Sequence, residues 1–118
     1  MGTRTVVDLA KAAEEFENAV ALDPDFALAY VGMADTYLLQ AAYTSLPWTE
    51  MLARSQAASE TAIQLSPWLG EAYAAFAKKK SFDREYEEAE AAFKKAIELS
   101  PNYAPGYQWY GEMLGGFH

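Results

Sequence analysis

Apolar residues recur along this chain at spacings of four, three and three. Ala12, Phe16, Ala19 and Leu22 form one such set, and Ala89, Phe93, Ala96 and Leu99 form another. That spacing returns to one side of a 3.6-residue turn, so each set predicts a helix with an apolar stripe. Its alanines permit close approach and its phenylalanine fills the gap between neighbours. A third set at the same offsets, Ser55, Ser59, Ala62 and Leu65, has lost the phenylalanine, and its packing is expected from Met51, Leu52 and Ile63. A second pattern alternates with the first: Tyr30, Met33, Ala34 and Tyr37, then Tyr73, Phe76, Ala77 and Lys80, then Tyr107, Tyr110, Gly111 and Leu114. Each copy carries a small residue where a partner helix would cross. Together the two patterns predict an all-α chain of about six helices, the first over roughly Val6 to Leu22 and the last over roughly Tyr103 to Leu114.

Between the patterns stands a phrase written three times: VALDPDFALAY from Val20, IQLSPWLGEAY from Ile63 and IELSPNYAPGY from Ile97. A residue before proline is pushed away from helical geometry, so Asp23, Ser66 and Ser100 should stop the incoming helix. Asp and Ser are also good N-caps, and proline suits the first position of a helix, so the same dipeptide is expected to open the next one. So short a turn folds the second helix back on the first, bringing Tyr30, Tyr73 and Tyr107 against the neighbour.

Pro67 to Pro101 is 34 residues. That period, with an aromatic, a large apolar and a small residue after the hinge and Ala, Phe and Pro before the next, resembles the tetratricopeptide repeat. The resemblance covers almost the whole chain and implies a right-handed superhelix of antiparallel helix pairs. Counted against it, the chain opens in a second helix and closes after a first, in the order B-A-B-A-B-A. The expected segments are 1–26 (second helix of a partial repeat), 27–69, 70–103 (a standard repeat) and 104–118 (first helix of a partial repeat, with a tail). Pro24 to Pro67 is 43 residues, nine more than the period. The excess falls around Gln40 to Met51 and should lengthen the two helices of 27–69 by about a turn each. Lys80 stands where the family has an apolar or aromatic residue, so the helix from Trp68 to about Lys80 is expected to be the least tightly packed. The long repeat followed by AEAAFKKAIELSPNYAPGYQWYGEML also looks like arrays attached to bacterial regulators and signalling enzymes.

Composition narrows the function more than it alters the fold. At 118 residues with 52% hydrophobic and 14% aromatic residues, the chain can bury roughly two thirds of its unfolded surface without a metal or disulfide staple. Cysteine is absent, which removes thiolate chemistry and cysteine metal sites and leaves the redox compartment unmarked; a cytoplasmic location is the expectation. A net charge of −8 repels phosphate backbones and anionic lipid, and the longest uncharged run, Thr36 to Thr49, is too short to span a bilayer. Neither nucleic acid nor membrane is expected as a partner. Lys78, Lys79 and Lys80 read as the last turn of a helix complementing its dipole. Glu85, Glu87, Glu88 and Glu90 read as the first turns of the following helix, with Glu90 placed four residues before Lys94. His118, the only histidine, is terminal, and no nucleophile has a base in partnership, so no enzyme, cofactor or metal is expected.

What the resemblance implies instead is a partner groove lined by the first helix of each pair. Its positions here are Leu28, Val31, Asp35, Leu38 and Leu39, then Glu71, Ala74, Lys78, Ser81 and Phe82, then Gln108 and Glu112. The expected function is a non-catalytic scaffold for protein–protein interaction, holding a peptide or protein segment in that groove. Family members that bind acidic chaperone tails use a clamp of Lys, Asn and Arg, whereas Val31, Asp35, Glu71 and Ala75 stand at those places here. Tails ending in Glu-Glu-Val-Asp are therefore not expected as ligands. The alternative is self-association into a homodimer, because Trp109, Tyr110 and Leu114 at one end and the open face of the first helix at the other need cover. A small-ligand pocket lined by tyrosines has only composition behind it.

Overall fold

A computed structural model describes residues 3–101. They form five helices and no strand: α1 (Thr3–Leu22), α2 (Ala27–Tyr43), α3 (Trp48–Leu65), α4 (Gly70–Phe82) and α5 (Tyr86–Leu99). The sixth helix expected from Tyr103 to Leu114 lies outside the described residues.

The hinges obey one rule, and it differs in part from the expected one. At Asp23, Ser66 and Ser100 the backbone N–H reaches back four residues, to Ala19, Ala62 and Ala96, each at 2.9 Å. These residues close the incoming helix, as pre-proline geometry demands. Asp23 and Ser66 do not open the next. Pro24-Asp25 and Pro67-Trp68 form a separate turn in which Asp23 accepts from the Phe26 N–H (3.1 Å) and Ser66 from the Leu69 N–H (3.0 Å). The following helices start at Ala27 and Gly70, and Phe26 and Leu69 are their N-caps, with no side-chain cap bond. The Asp23 side chain is spent within the turn, accepting from the Asp25 N–H at 3.2 Å.

The nine extra residues of the first complete pair are distributed evenly. At 17 and 18 residues, α2 and α3 are each four longer than α4 and α5, at 13 and 14. The Thr44–Pro47 connection is one residue longer than Asp83–Glu85. Antiparallel pairing survives because both members of the pair grew by the same turn.

The backbones of α2 and α4 approach each other, whereas those of α1, α3 and α5 each meet only the α2 and α4 layer. The stack therefore has an inner layer of α2 and α4 and an outer layer of α1, α3 and α5. Its core is built largely of alanine. Val31, Ala34, Ala58, Ala62, Ala72 and Ala75 form one cluster under Tyr30, Met33, Ile63 and Leu69. Ala77, Ala89, Ala92 and Phe93 form a second against Phe76. A third joins Ala13, Tyr37 and Met51. With so many small side chains, helices pack close and stability comes from contact density more than from bulky residues.

Two close approaches set the spacing. A Cβ at Gly32 would overlap three carbons of the Phe16 ring, so the glycine makes the slot into which α1 inserts its phenylalanine. A Cβ at Gly70 would stand 2.7 Å from the Ala96 carbonyl oxygen, which fixes the start of α4 on the end of α5. In the middle copy, Ser55 and Ser59 are fully enclosed. Ser55 Oγ donates to the Ala34 carbonyl across the helix interface at 2.8 Å, and Ser59 Oγ donates to the Gln56 carbonyl of its own helix at 2.9 Å. Met51 and Leu52 are buried beside them and Ile63 is partly buried. Leu22 departs from its repeat equivalents: it is 88% exposed, on a helix whose only described neighbour is α2.

The expectation that α4 would be loosely packed is overturned. Gly70, Ala72, Ala74, Ala75, Ala77, Lys78 and Lys80 are all buried, because α4 is walled by α2, α3 and α5 together. Lys80 takes an apolar position by laying its stem inward and extending its ammonium to a rim of carboxylates.

Candidate functional site: a cavity between α2 and α4

On the inner layer the C-terminal halves of α2 and α4 line a cavity of about 250 Å³, formed by Asp35, Leu38, Leu39, Ala42, Tyr43, Lys78 and Phe82. Five of these residues belong to the groove set expected from the sequence. The other two, Ala42 and Tyr43, come from the extra turn of α2. Aligning Tyr30 with Tyr73 places Phe82 opposite Leu39, so Gln40 to Tyr43 extend past the end of α4 and wall one end of the space. Periodicity alone gave no reason to assign the inserted turn to the groove.

The expected groove residues separate by exposure. Leu28, Leu39 and Phe82 are exposed, Asp35, Glu71 and Ser81 are half-buried, and Val31, Leu38, Ala74 and Lys78 are buried. Val31 belongs to the core cluster beneath the groove. Glu71 accepts from Ser100 Oγ at 3.0 Å, and Ser81 Oγ donates to the Ala77 carbonyl at 3.1 Å. Gln108 and Glu112, and the self-association candidates Trp109, Tyr110 and Leu114, lie outside the described residues.

The three consecutive lysines have a role that their local sequence does not disclose. Successive helical residues point about 100° apart, and each lysine meets a different carboxylate. Lys78 Nζ lies 3.4 Å from Asp35 Oδ1 on α2, at the cavity. Lys79 pairs with Asp83 just after its own helix and donates to Gln56 Oε1 on α3 at 2.7 Å. Lys80 Nζ lies 3.0 Å from Glu88 and 3.2 Å from Glu85, at the start of α5, and 5.4 Å from the Phe76 ring centre. One turn of α4 is thereby tied to α2, α3 and α5. Of the acidic residues expected to serve the α5 dipole, Glu85 and Glu88 are also partners of Lys80, while Glu90 pairs with Lys94 at 3.3 Å in the expected order.

Burial raises the Asp35 carboxyl above its ordinary value, and the adjacent Lys78 charge and hydrogen bond oppose that rise. For Lys80 the hydrogen bond to Glu88 raises the ammonium value against the smaller cost of burial, with Glu85 adding to the rise. On the other side of α2, the Tyr37 hydroxyl donates to Glu17 Oε2 at 2.7 Å while Arg54 lies 5.9 Å from its ring centre. Burial, reinforced by the Glu17 hydrogen bond and charge, pushes the Tyr37 phenol up to about 12.

Chemically the cavity offers aliphatic and aromatic surface with one neutralised ion pair at its edge. Among the described residues no cluster of three or more His, Cys, Asp or Glu could hold a metal, and no helix is long and apolar enough to cross a membrane. The outer layer has two further notches at equivalent repeat positions. One is lined by Tyr30, Met33, Tyr37, Arg54, Ala57, Ala58 and Thr61, the other by Ile63, Tyr73, Phe76, Glu88, Ala91, Ala92 and Lys95.

No protein-family model and no curated protein matches this sequence. Its fold does match solved structures. The TPR domain of Arabidopsis OM64 superposes with a TM-score of 0.73 at 17% identity, over 93% of this chain and 84% of that one. The first TPR of Spaghetti (RPAP3), bound to the HSP90 peptide SRMEEVD, superposes with a TM-score of 0.74 at 15% identity, over 96% of this chain and 82% of that one. The helical hairpins described here have the tetratricopeptide repeat fold.

Proposed function

We propose that this chain, with its tetratricopeptide repeat fold, is a non-catalytic protein-interaction scaffold that holds a segment of another protein in the groove between α2 and α4. The observation carrying this reading is the cavity itself: exposed Leu39, Tyr43 and Phe82 surround an apolar recess of the type that accepts anchor side chains from peptides and helices. Peptides selected from a random display library against the immobilised protein provide the test. They should lose binding to Leu39→Glu or Leu28→Glu, both exposed positions on α2, and retain it with Val7→Glu on the outer layer. Selected peptides that ignore Leu39→Glu and respond to Val7→Glu would place the interaction elsewhere. Val31 and Leu38 are unsuitable for this test because both are buried and a charge there would unfold the domain.

Acidic chaperone tails are a poor match for this groove. Lys78 is already paired with Asp35, Glu71 adds negative charge at the groove positions, and Lys79 and Lys80 are engaged by Asp83, Glu85 and Glu88, so an acidic peptide meets repulsion without a cationic clamp. Titrating labelled SRMEEVD should give no saturable anisotropy change; micromolar binding would overturn this part. Self-association is a second reading, favoured by the exposure of Val6 and Val7 on α1. Light scattering over a dilution series should then show a dimer that Val7→Glu dissociates.

A further inference from the structure

We propose that the extra turn of α2 acts as a specificity device: the element captured in the groove is a segment with one large apolar anchor flanked by Lys or Arg. This rests on the groove reading above and names the ligand chemistry. Three observations point to it.

The first is size and closure. About 250 Å³ bounded by Leu38, Leu39, Ala42, Tyr43 and Phe82 is room for one or two large side chains, below the several hundred Å³ typical of drug-sized ligands. A pair of standard length would end opposite Phe82, leaving the recess open where Ala42 and Tyr43 now stand. The wall is therefore a product of the inserted turn.

The second is exposure at the mouth. Leu39, Tyr43 and Phe82 are 44%, 48% and 40% exposed, so they can receive a ligand without rearranging the core beneath them. Aromatic rings at the rim also offer faces to a passing ammonium or guanidinium group.

The third is charge. Among the described groove positions the charged residues are Asp35, Glu71 and Lys78, and Lys78 is buried against Asp35, while Lys79 and Lys80 of the same helix are paired with Asp83 and with Glu85 and Glu88. The whole chain carries −8. Cationic flanks gain from that field and acidic ones lose, in encounter rate as well as affinity.

The experiment uses three fluorescein-labelled twelve-residue peptides: one with a central Trp flanked by lysines, its Trp→Ala counterpart, and its counterpart with every Lys replaced by Glu. Anisotropy is read against the full chain at physiological salt. The Lys/Trp peptide should bind at least tenfold more tightly than either counterpart, and Tyr43→Ala or Phe82→Ala should weaken it at least fivefold. Trp48→Ala, an exposed aromatic outside the cavity, should change nothing. Circular dichroism would confirm that the exposed-site variants remain folded. Binding that is insensitive to Tyr43→Ala and Phe82→Ala but abolished by Leu28→Glu would overturn the cavity inference and leave the groove reading standing. Equal or tighter binding of the Glu peptide would overturn the charge preference. Absence of binding by all three probes at millimolar concentration would overturn the proposal, while display-selected peptides would still test the scaffold reading.

Discussion

Ser59→Phe separates reasoning from the repeat pattern and reasoning from packing. Eight residues before the hinge proline, the outer-layer copies carry Phe16, Ser59 and Phe93. Restoring a consensus residue commonly stabilises a protein by about 0.5–2 kcal/mol. The structure predicts the opposite sign. Phe16 fits because Gly32, eight residues after the same proline, leaves the space its ring occupies. The position matching Gly32 in the next hinge is Ala75, which is 1% exposed and holds its methyl group in the core, while Ser59 is 0% exposed. Six ring carbons would have to enter a fully enclosed site whose facing position carries a methyl group instead of a glycine, and overpacking of this kind costs about 1–3 kcal/mol, with a whole ring at the upper end. With a urea slope of about 1.5 kcal/mol/M, a loss of about 3 kcal/mol lowers the midpoint by about 2 M. Ala75→Gly costs about 1 kcal/mol alone through helix propensity, yet in the double variant it should recover part of the loss as a coupling energy. A Ser59→Phe midpoint equal to or above the parent's would refute the claim that Phe16–Gly32 and Ser59–Ala75 are alternative, mutually exclusive fits.

Other tests follow from single residues. Arg84 closes α4 in the left-handed region at φ 60°, with Glu85 N–H bonded to the Lys80 carbonyl and Arg84 N–H to that of Ser81, a helix ending that favours glycine; Arg84→Gly should raise stability by about 0.5–1 kcal/mol in thermal or urea melts. Spectrophotometric titration should show a component ionising near 12 that belongs to Tyr37; because its folded value is raised, the stabilisation is complete below the ordinary value of 10.0 and is lost as pH rises through 12. In Tyr37→Phe that late-ionising component should vanish, at a cost of about 1–2 kcal/mol for the lost bond to Glu17. Lys80→Met keeps the buried stem and removes two partly exposed ion pairs, so about 1 kcal/mol should be lost near neutral pH. Since the Lys80 value is raised, the difference from the parent should hold below the ordinary 10.5 and shrink above it; a pH-independent difference would assign the loss to packing.

The amino-acid sequence by itself determined the helices, their alternation and their stops, because these depend on chemistry within a few residues. The Ala-Phe-Ala-Leu stripe, the pre-proline residue and the nine-residue excess each act through local geometry, and the excess appears as one turn added to both α2 and α3. It also pointed to five of the seven cavity residues, since their repeat positions specify an angle around the helix. It did not disclose what stands at that angle. Tertiary packing decided that Lys78, Lys79 and Lys80 would reach three different parts of the fold, that Val31 and Ala74 would be covered while Leu39 and Phe82 remained open, and that Ala42 and Tyr43 would close the cavity. Periodicity fixes a side chain's direction about its own axis, but burial, ion pairing and enclosure depend on the distance and length of the neighbouring helix.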